Sequence, residues 1–121
     1  MPPTLSNGKI CYLEIPATDV AGAAAFYQAV FGWNSRQGGD GSVAFDDGVG
    51  EVSGTWVVGR EPSRDPGLIV SIMVDDMGST LELVTSNGGT IVRGVGHDAP
   101  EITGWFRDPT GNIFGLYQER A

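Results

Sequence analysis

The chain repeats itself. The strand-like stretch "KICYLEI" leads through "PATD", with the helix-capping residues Thr18 and Asp19, into "VAGAAAFYQAVFGW". There Val20, Ala24, Tyr27 and Phe31 recur at helical spacing, and Gly32 supplies a stop. Later, strand-like "LIVSIMV" meets the capping residues Asp75 and Asp76 and runs into "MGSTLELVTSNGG". Met77, Leu81 and Val84 in this second helix stand 57 positions after Val20, Ala24 and Tyr27. Each helix is followed by three short strand candidates, parted by "GGDG" and "DDG" in the first half and by "HDAP" and "DPTG" in the second. A strand, a helix and three strands thus occur twice. Each copy is too small to bury a sheet alone, so the pattern predicts two modules, residues 9–59 and 68–118, sharing one core in a single domain over residues 1–121. "REPSRDPG", residues 60–67, reads as an exposed connector.

Length and composition agree with one domain: 121 residues with 40% apolar content supply one core. Seven basic against fifteen acidic residues give a net charge of −8, which repels a phosphate backbone or an anionic membrane and excludes both as expected partners. A cationic small molecule is favoured by the same charge. The lone Cys11 has no partner for a disulfide within the chain, and its strand context predicts a buried thiol. "MPPTLSNGK" lacks the apolar run of a signal peptide, and no apolar stretch approaches the roughly 18 residues of a membrane span, so a cytoplasmic protein is expected.

"EIPATD…AAAFYQAVFGW" opening the first unit and "FRDPTGNIFGLYQ" closing the second resemble the vicinal oxygen chelate superfamily, which includes glyoxalase I, extradiol dioxygenases and the bleomycin and fosfomycin resistance proteins. The resemblance implies an α+β fold: two βαβββ modules forming a curled, mostly antiparallel, eight-stranded open barrel around a shared cavity, with the helices outside. It also implies a homodimer. In metal-using relatives four inward side chains, usually His, Glu or Gln, hold the ion. Carried over by motif, those places are Ile10, Gly54, Ile69 and Gly115. Divalent ions need imidazole, thiolate or carboxylate donors converging on one point, so neither a metal nor another cofactor is expected there.

Other candidates have simpler explanations. Asp46, Asp47 and Glu51 cluster in "DDGVGE", the ordinary composition of a hairpin turn. His97 adjoins Asp98, but consecutive residues on an extended chain diverge, and a hairpin-tip histidine accounts for it. No GxSxG or CxxC occurs, and the glycines of "GVGEVSG" lack the strand-turn-helix setting of a dinucleotide loop.

Strand alternation then predicts the cavity lining. Tyr12 and Glu14 point inward from the first strand, with Cys11, Leu13 and Ile15 under the helices. Ser71 and Met73 point inward from the fifth, Trp56 and Tyr117 share the faces of Gly54 and Gly115, and Trp105 joins them with Arg107 nearer the rim. Both glycines sit in mid-strand, where a missing side chain leaves room for a ligand or for a neighbour. Such walls suit a small aromatic or cationic molecule, bound without metal as the bleomycin resistance proteins bind by sequestration. The alternative is a lyase or isomerase of the glyoxalase type, dependent on a metal or on Glu14 as general base.

Overall fold

The computed structural model describes residues 2–120, in two compact units that part between Glu61 and Pro62. Strand β1 (Tyr12–Pro16), helix α1 (Val20–Phe31) and strands β2 (Asn34–Gln37), β3 (Val43–Asp46) and β4 (Ser53–Val57) make the first unit. The second contains β5 (Ser71–Met73), α2 (Met77–Ser86), β6 (Thr90–Arg93), β7 (Ile102–Arg107) and β8 (Ile113–Gln118). Each unit is βαβββ, and each forms a mixed four-stranded sheet, in the orders β1-β4-β3-β2 and β5-β8-β7-β6. Only β1–β4 and β5–β8 pair in parallel, as a strand-helix crossover requires; the hairpin-linked strands pair antiparallel. The α+β class and the repeated βαβββ unit are therefore observed.

The helices start and stop where their caps dictate. Asp19 accepts a hydrogen bond from the Gly22 amide at 3.1 Å, and Gly32 closes α1 at φ 71°, a left-handed conformation that favours glycine. Asp76 caps α2 through the Ser79 amide. The buried stripe of α1 is Ala23, Phe26, Tyr27 and Val30, rotated slightly from the predicted Val20, Ala24, Tyr27 and Phe31. In α2 it is Met77, Thr80 and Val84. Aromatic rings fill the space beneath α1: Tyr27 stacks on Trp33 at 4.7 Å between centroids, Trp33 on Phe45 at 4.7 Å, and Phe45 meets Trp56 at 4.7 Å. Beneath α2, Phe106, Phe114 and Leu116 are buried with Met77.

Cys11 is exposed, not buried as its strand context suggested. It precedes the first residue of β1, and although its carbonyl accepts from the Ser53 amide, burial under α1 begins only at Leu13 and is complete at Ile15.

The "DPTGN" turn is held by one carboxylate. Asp108, almost fully buried, accepts from the amides of Thr110, Gly111 and Asn112 and from the Asn112 side chain. Gly111 has φ 119°, so glycine is required there. Asn112 is 1% exposed, and its side-chain oxygen accepts from the Ser63 amide at 2.8 Å. Ile113 in turn donates to the Ser63 carbonyl. The start of the predicted connector is thereby stitched to the second sheet. Replacing Asn112 by Ala removes two hydrogen bonds at a buried site and is expected to cost about 2–3 kcal/mol in urea unfolding. A loss under about 0.5 kcal/mol, the scale of a neutral surface change, would contradict this account of the turn.

Candidate functional site

In a sheet covered by a helix on one face, strand register decides which side chains the other face presents. In the second unit Ser71 pairs with Gly115 and Met73 with Tyr117, while Trp105 pairs with Gly115 and Thr103 with Tyr117. The intervening Ile72, Gly104, Phe106, Phe114 and Leu116 belong to the α2 side. A Cβ on Gly104 would lie 3.4 Å from the Met77 sulfur, which fixes that assignment. Ser71, Met73, Trp105, Arg107 and Tyr117 thus share the face turned away from α2. Met73 is 68% exposed, whereas Trp105, Arg107 and Tyr117 are half-buried.

Sequence reasoning missed Arg93. Its guanidinium carbon lies 3.9 Å from the Trp105 ring centroid, across the β6–β7 pairing of these two residues. An irregularity between Ile91 and Arg93 sets that register. The ring face expected to receive a ligand's cation therefore already carries one from the chain. At the other end of the face, the Tyr117 hydroxyl donates to Glu101 at 3.5 Å. Desolvation, followed by the nearby Glu119 and Glu101 carboxylates, holds this phenol above its ordinary pKa and keeps it a donor.

The first unit differs from expectation at β4. Tyr12 and Glu14 do lie on the face away from α1, with Ser53 and Thr55 as their partners on β4. Trp56 does not. It pairs with the buried Ile15, is 5% exposed, and packs between Tyr27 and Phe45 under α1. Gly54 shares that buried side, where a Cβ would come within 2.3 Å of both the Leu13 carbonyl oxygen and the Phe45 ring. This glycine makes room for a neighbour's ring, not for a ligand. At Gly115 the nearest atoms to an added Cβ would be Ser71 Oγ at 2.5 Å and Ile69 Cγ2 at 3.0 Å, so that gap is also taken by side chains of its own sheet.

The four motif-derived places shift accordingly. Asp19 and Asp76 cap equivalent helices 57 positions apart, which makes Tyr12, not the 73% exposed Ile10, the counterpart of Ile69. By the parallel pairings Glu14–Thr55 and Ser71–Gly115, Thr55 and not Gly54 is the counterpart of Gly115. Tyr12, Thr55, Ile69 and Gly115 offer no imidazole, thiolate or carboxylate, so they do not fit a divalent ion. Among the described residues no three His, Cys, Asp or Glu side chains are grouped to hold a metal.

Several other polar residues are engaged with one another. Arg36 makes a two-pronged ion pair with Asp46 at 2.9 and 3.0 Å, and Ser53 donates to the same carboxylate. Glu14 forms an ion pair with Arg60 at 2.9 Å, with both side chains about half exposed. Asp47 accepts from the Glu51 and Val52 amides in the hairpin, as a turn residue does, and Glu51 binds the Thr4 amide and Lys9. Asp98 accepts from Thr103, away from the exposed His97.

A family model for the Glyoxalase/Bleomycin resistance protein/Dioxygenase superfamily matches residues 9–116. A glyoxylase-like domain-containing protein of Didymella fabae is 33% identical over 119 residues, covering 91% of this chain and 93% of that one. The fold is similar to that of the fosfomycin resistance protein FosX from Listeria monocytogenes, with a TM-score of 0.77 at 13% identity over 95% of this chain and 94% of that one. It is also similar to the hypothetical protein SA1046 of S. aureus, with a TM-score of 0.76 at 14% identity over 94% and 95% of the two chains. No described helix is long and apolar enough to cross a membrane.

Two outcomes follow from this geometry. Gly54→Ala forces a backbone oxygen and a packed ring apart and is expected to be severely destabilising, whereas the cost of Gly115→Ala falls when combined with Ser71→Ala, since Ser71 Oγ is the closest obstacle. Thermal unfolding of the single and double variants checks both, and equal costs for the two glycines would contradict the assignment of faces. Hydrogen bonds from Arg36 and Ser53 hold Asp46 below its ordinary pKa. A pKa lowered by folding adds stability above the unfolded value near 4 and loses it as pH falls through the folded one. Asp46→Asn should therefore cost at most about 1 kcal/mol at pH 7, with the deficit shrinking below about pH 4. A deficit that grows in acid would contradict the pair's role.

Proposed function

Because the chain belongs to the glyoxalase/bleomycin resistance protein/dioxygenase superfamily, we propose that it binds a small organic molecule on the face of the second sheet turned away from α2, without a divalent metal at the four places its relatives use. The observation that carries this reading is the grouping of Trp105, Tyr117, Met73 and Ser71 around Gly115 on that face. Two aromatic rings with polar tips and an exposed thioether present apolar surface with few anchors, the usual make-up of a small-molecule site. Met73 adds a flexible chain that adapts to differing shapes. The donor set at Tyr12, Thr55, Ile69 and Gly115 supports the metal-free part of the reading, and the Glu14–Arg60 ion pair argues against Glu14 as a free base. Binding is thus favoured over lyase or isomerase chemistry. A homodimer is carried forward from the family resemblance, and light scattering on the purified protein tests it.

Calorimetric titration with a panel of aromatic compounds is the direct test. At least one should bind, and Trp105→Ala should weaken it about tenfold or more, as loss of a central aromatic contact does. Trp56→Phe should leave affinity unchanged. It is a mild substitution, because the Trp56 indole N–H is buried and makes no hydrogen bond among the described residues. Unchanged affinity in Trp105→Ala, or a loss in Trp56→Phe, would overturn the proposed face.

A further inference from the structure

Resting on that reading, we infer that the bound molecule carries a carboxylate or a similar anion, and that Arg93 and Arg107 receive it. The chain has seven basic residues against fifteen acidic ones, so a basic side chain left without an acid is unexpected. Arg36, Arg60, Arg120 and Lys9 are paired with Asp46, Glu14, Glu101 and Glu51, and Arg64 lies against Gly111 of the "DPTGN" turn. Arg93 and Arg107 have no carboxylate within ion-pair distance among the described residues, and both lie on the face that bears Trp105. Arg107 is two residues from Trp105 along β7, opposite Thr90, and Arg93 is stacked on the Trp105 ring.

Stacking has a directional consequence. A guanidinium lying on an aromatic face satisfies its flat surface and leaves its N–H donors pointing outward from the edge, in the fork geometry that matches a carboxylate. The row across the sheet then reads Ser71, Gly115, Trp105, Arg93, with Met73, Tyr117 and Thr103 beside it and Arg107 on the other side. An apolar or aromatic body lies against Trp105, Tyr117 and Met73, with its anion toward the arginines. Glu119 near the Tyr117 hydroxyl, beside the Arg120-paired Glu101, repels the anion from the opposite end, so the charge gradient along the face fixes the ligand's direction. This reverses the preference for cations that net charge alone suggests: the local charge at Trp105 is positive although the whole chain is acidic.

Matched probes test the inference on the full chain: 2-naphthoate, 2-naphthamide and 2-naphthylmethylamine, titrated by calorimetry at low and moderate salt. The carboxylate is expected to bind at least about tenfold more tightly than the amide, the lower end for a charge-assisted hydrogen bond, and the amine most weakly. Arg107→Gln and Arg93→Gln should each remove most of the carboxylate's advantage over the amide. Arg107→Lys, which keeps the charge and loses the fork, should fall between. Circular dichroism of each variant establishes that it is folded. If amide and carboxylate bind equally, or the amine binds best, the anion assignment is overturned while the binding face stands. If none of the three binds, both fall.

Discussion

Everything the free sheet faces present depends on the two parallel pairings, β1 with β4 and β5 with β8. Each joins the strand before a helix to the last strand of its unit, and each helix covers one face of the sheet so made. Because side chains alternate along a strand, the register of that one pairing assigns every residue of the last strand either to the buried side or to the free side. A slip of a single residue would exchange Trp56 with Thr55, or Leu116 with Tyr117. Packing forbids such a slip: Trp56 completes the ring stack beneath α1, and Leu116 and Phe114 are buried beneath α2.

Given that frame, the two units have diverged in what their free faces do. In the first, Arg36, Asp46, Ser53, Glu14 and Arg60 satisfy one another, so the face is polar but internally closed. In the second, the Tyr117 hydroxyl and Thr103 are bonded to Glu101 and Asp98, but Met73 is exposed beside the half-buried Trp105 and Tyr117, and two arginines have no acidic partner among the described residues. The two units share a backbone plan, but the second includes two arginines without an acidic partner among the described residues. Neither copy retains donors for a divalent ion at the equivalent places, in a superfamily whose fold accommodates several chemistries.

Much of this was legible in the sequence. The 57-residue offset, the capping aspartates, Gly32 and the "DPTGN" turn each follow from local chemistry, and local chemistry is what sequence displays. That Ser71, Met73, Trp105 and Tyr117 share one face of the second sheet was legible too, because they alternate with buried apolar residues. The failure at β4 has a specific cause. Gly54 shares a side with Trp56 as Gly115 does with Tyr117, but in "SGTWV" the polar Ser53 and Thr55 mark the opposite side as the one away from α1, whereas in "IFGLYQ" the apolar Phe114 and Leu116 mark the glycine's own side as the one away from α2. Aligning the polar and apolar sides would have placed Thr55 opposite Gly115, and the helix offset applied to Ile69 would have given Tyr12 directly. Arg93 had no such signal, since its stacking on Trp105 depends on a local irregularity in β6 that composition does not reveal.

The face assignment and the binding reading meet in the three tryptophans, Trp33, Trp56 and Trp105, of which the first two are buried under α1 and the third belongs to the proposed site. Their indole N–H resonances in a nitrogen–proton NMR spectrum, followed while an aromatic carboxylate is added, report on all three at once. The account predicts a progressive shift of the Trp105 signal with Trp33 and Trp56 stationary. Movement of Trp56 with Trp105 stationary, or no movement of any indole at saturating ligand, would contradict it.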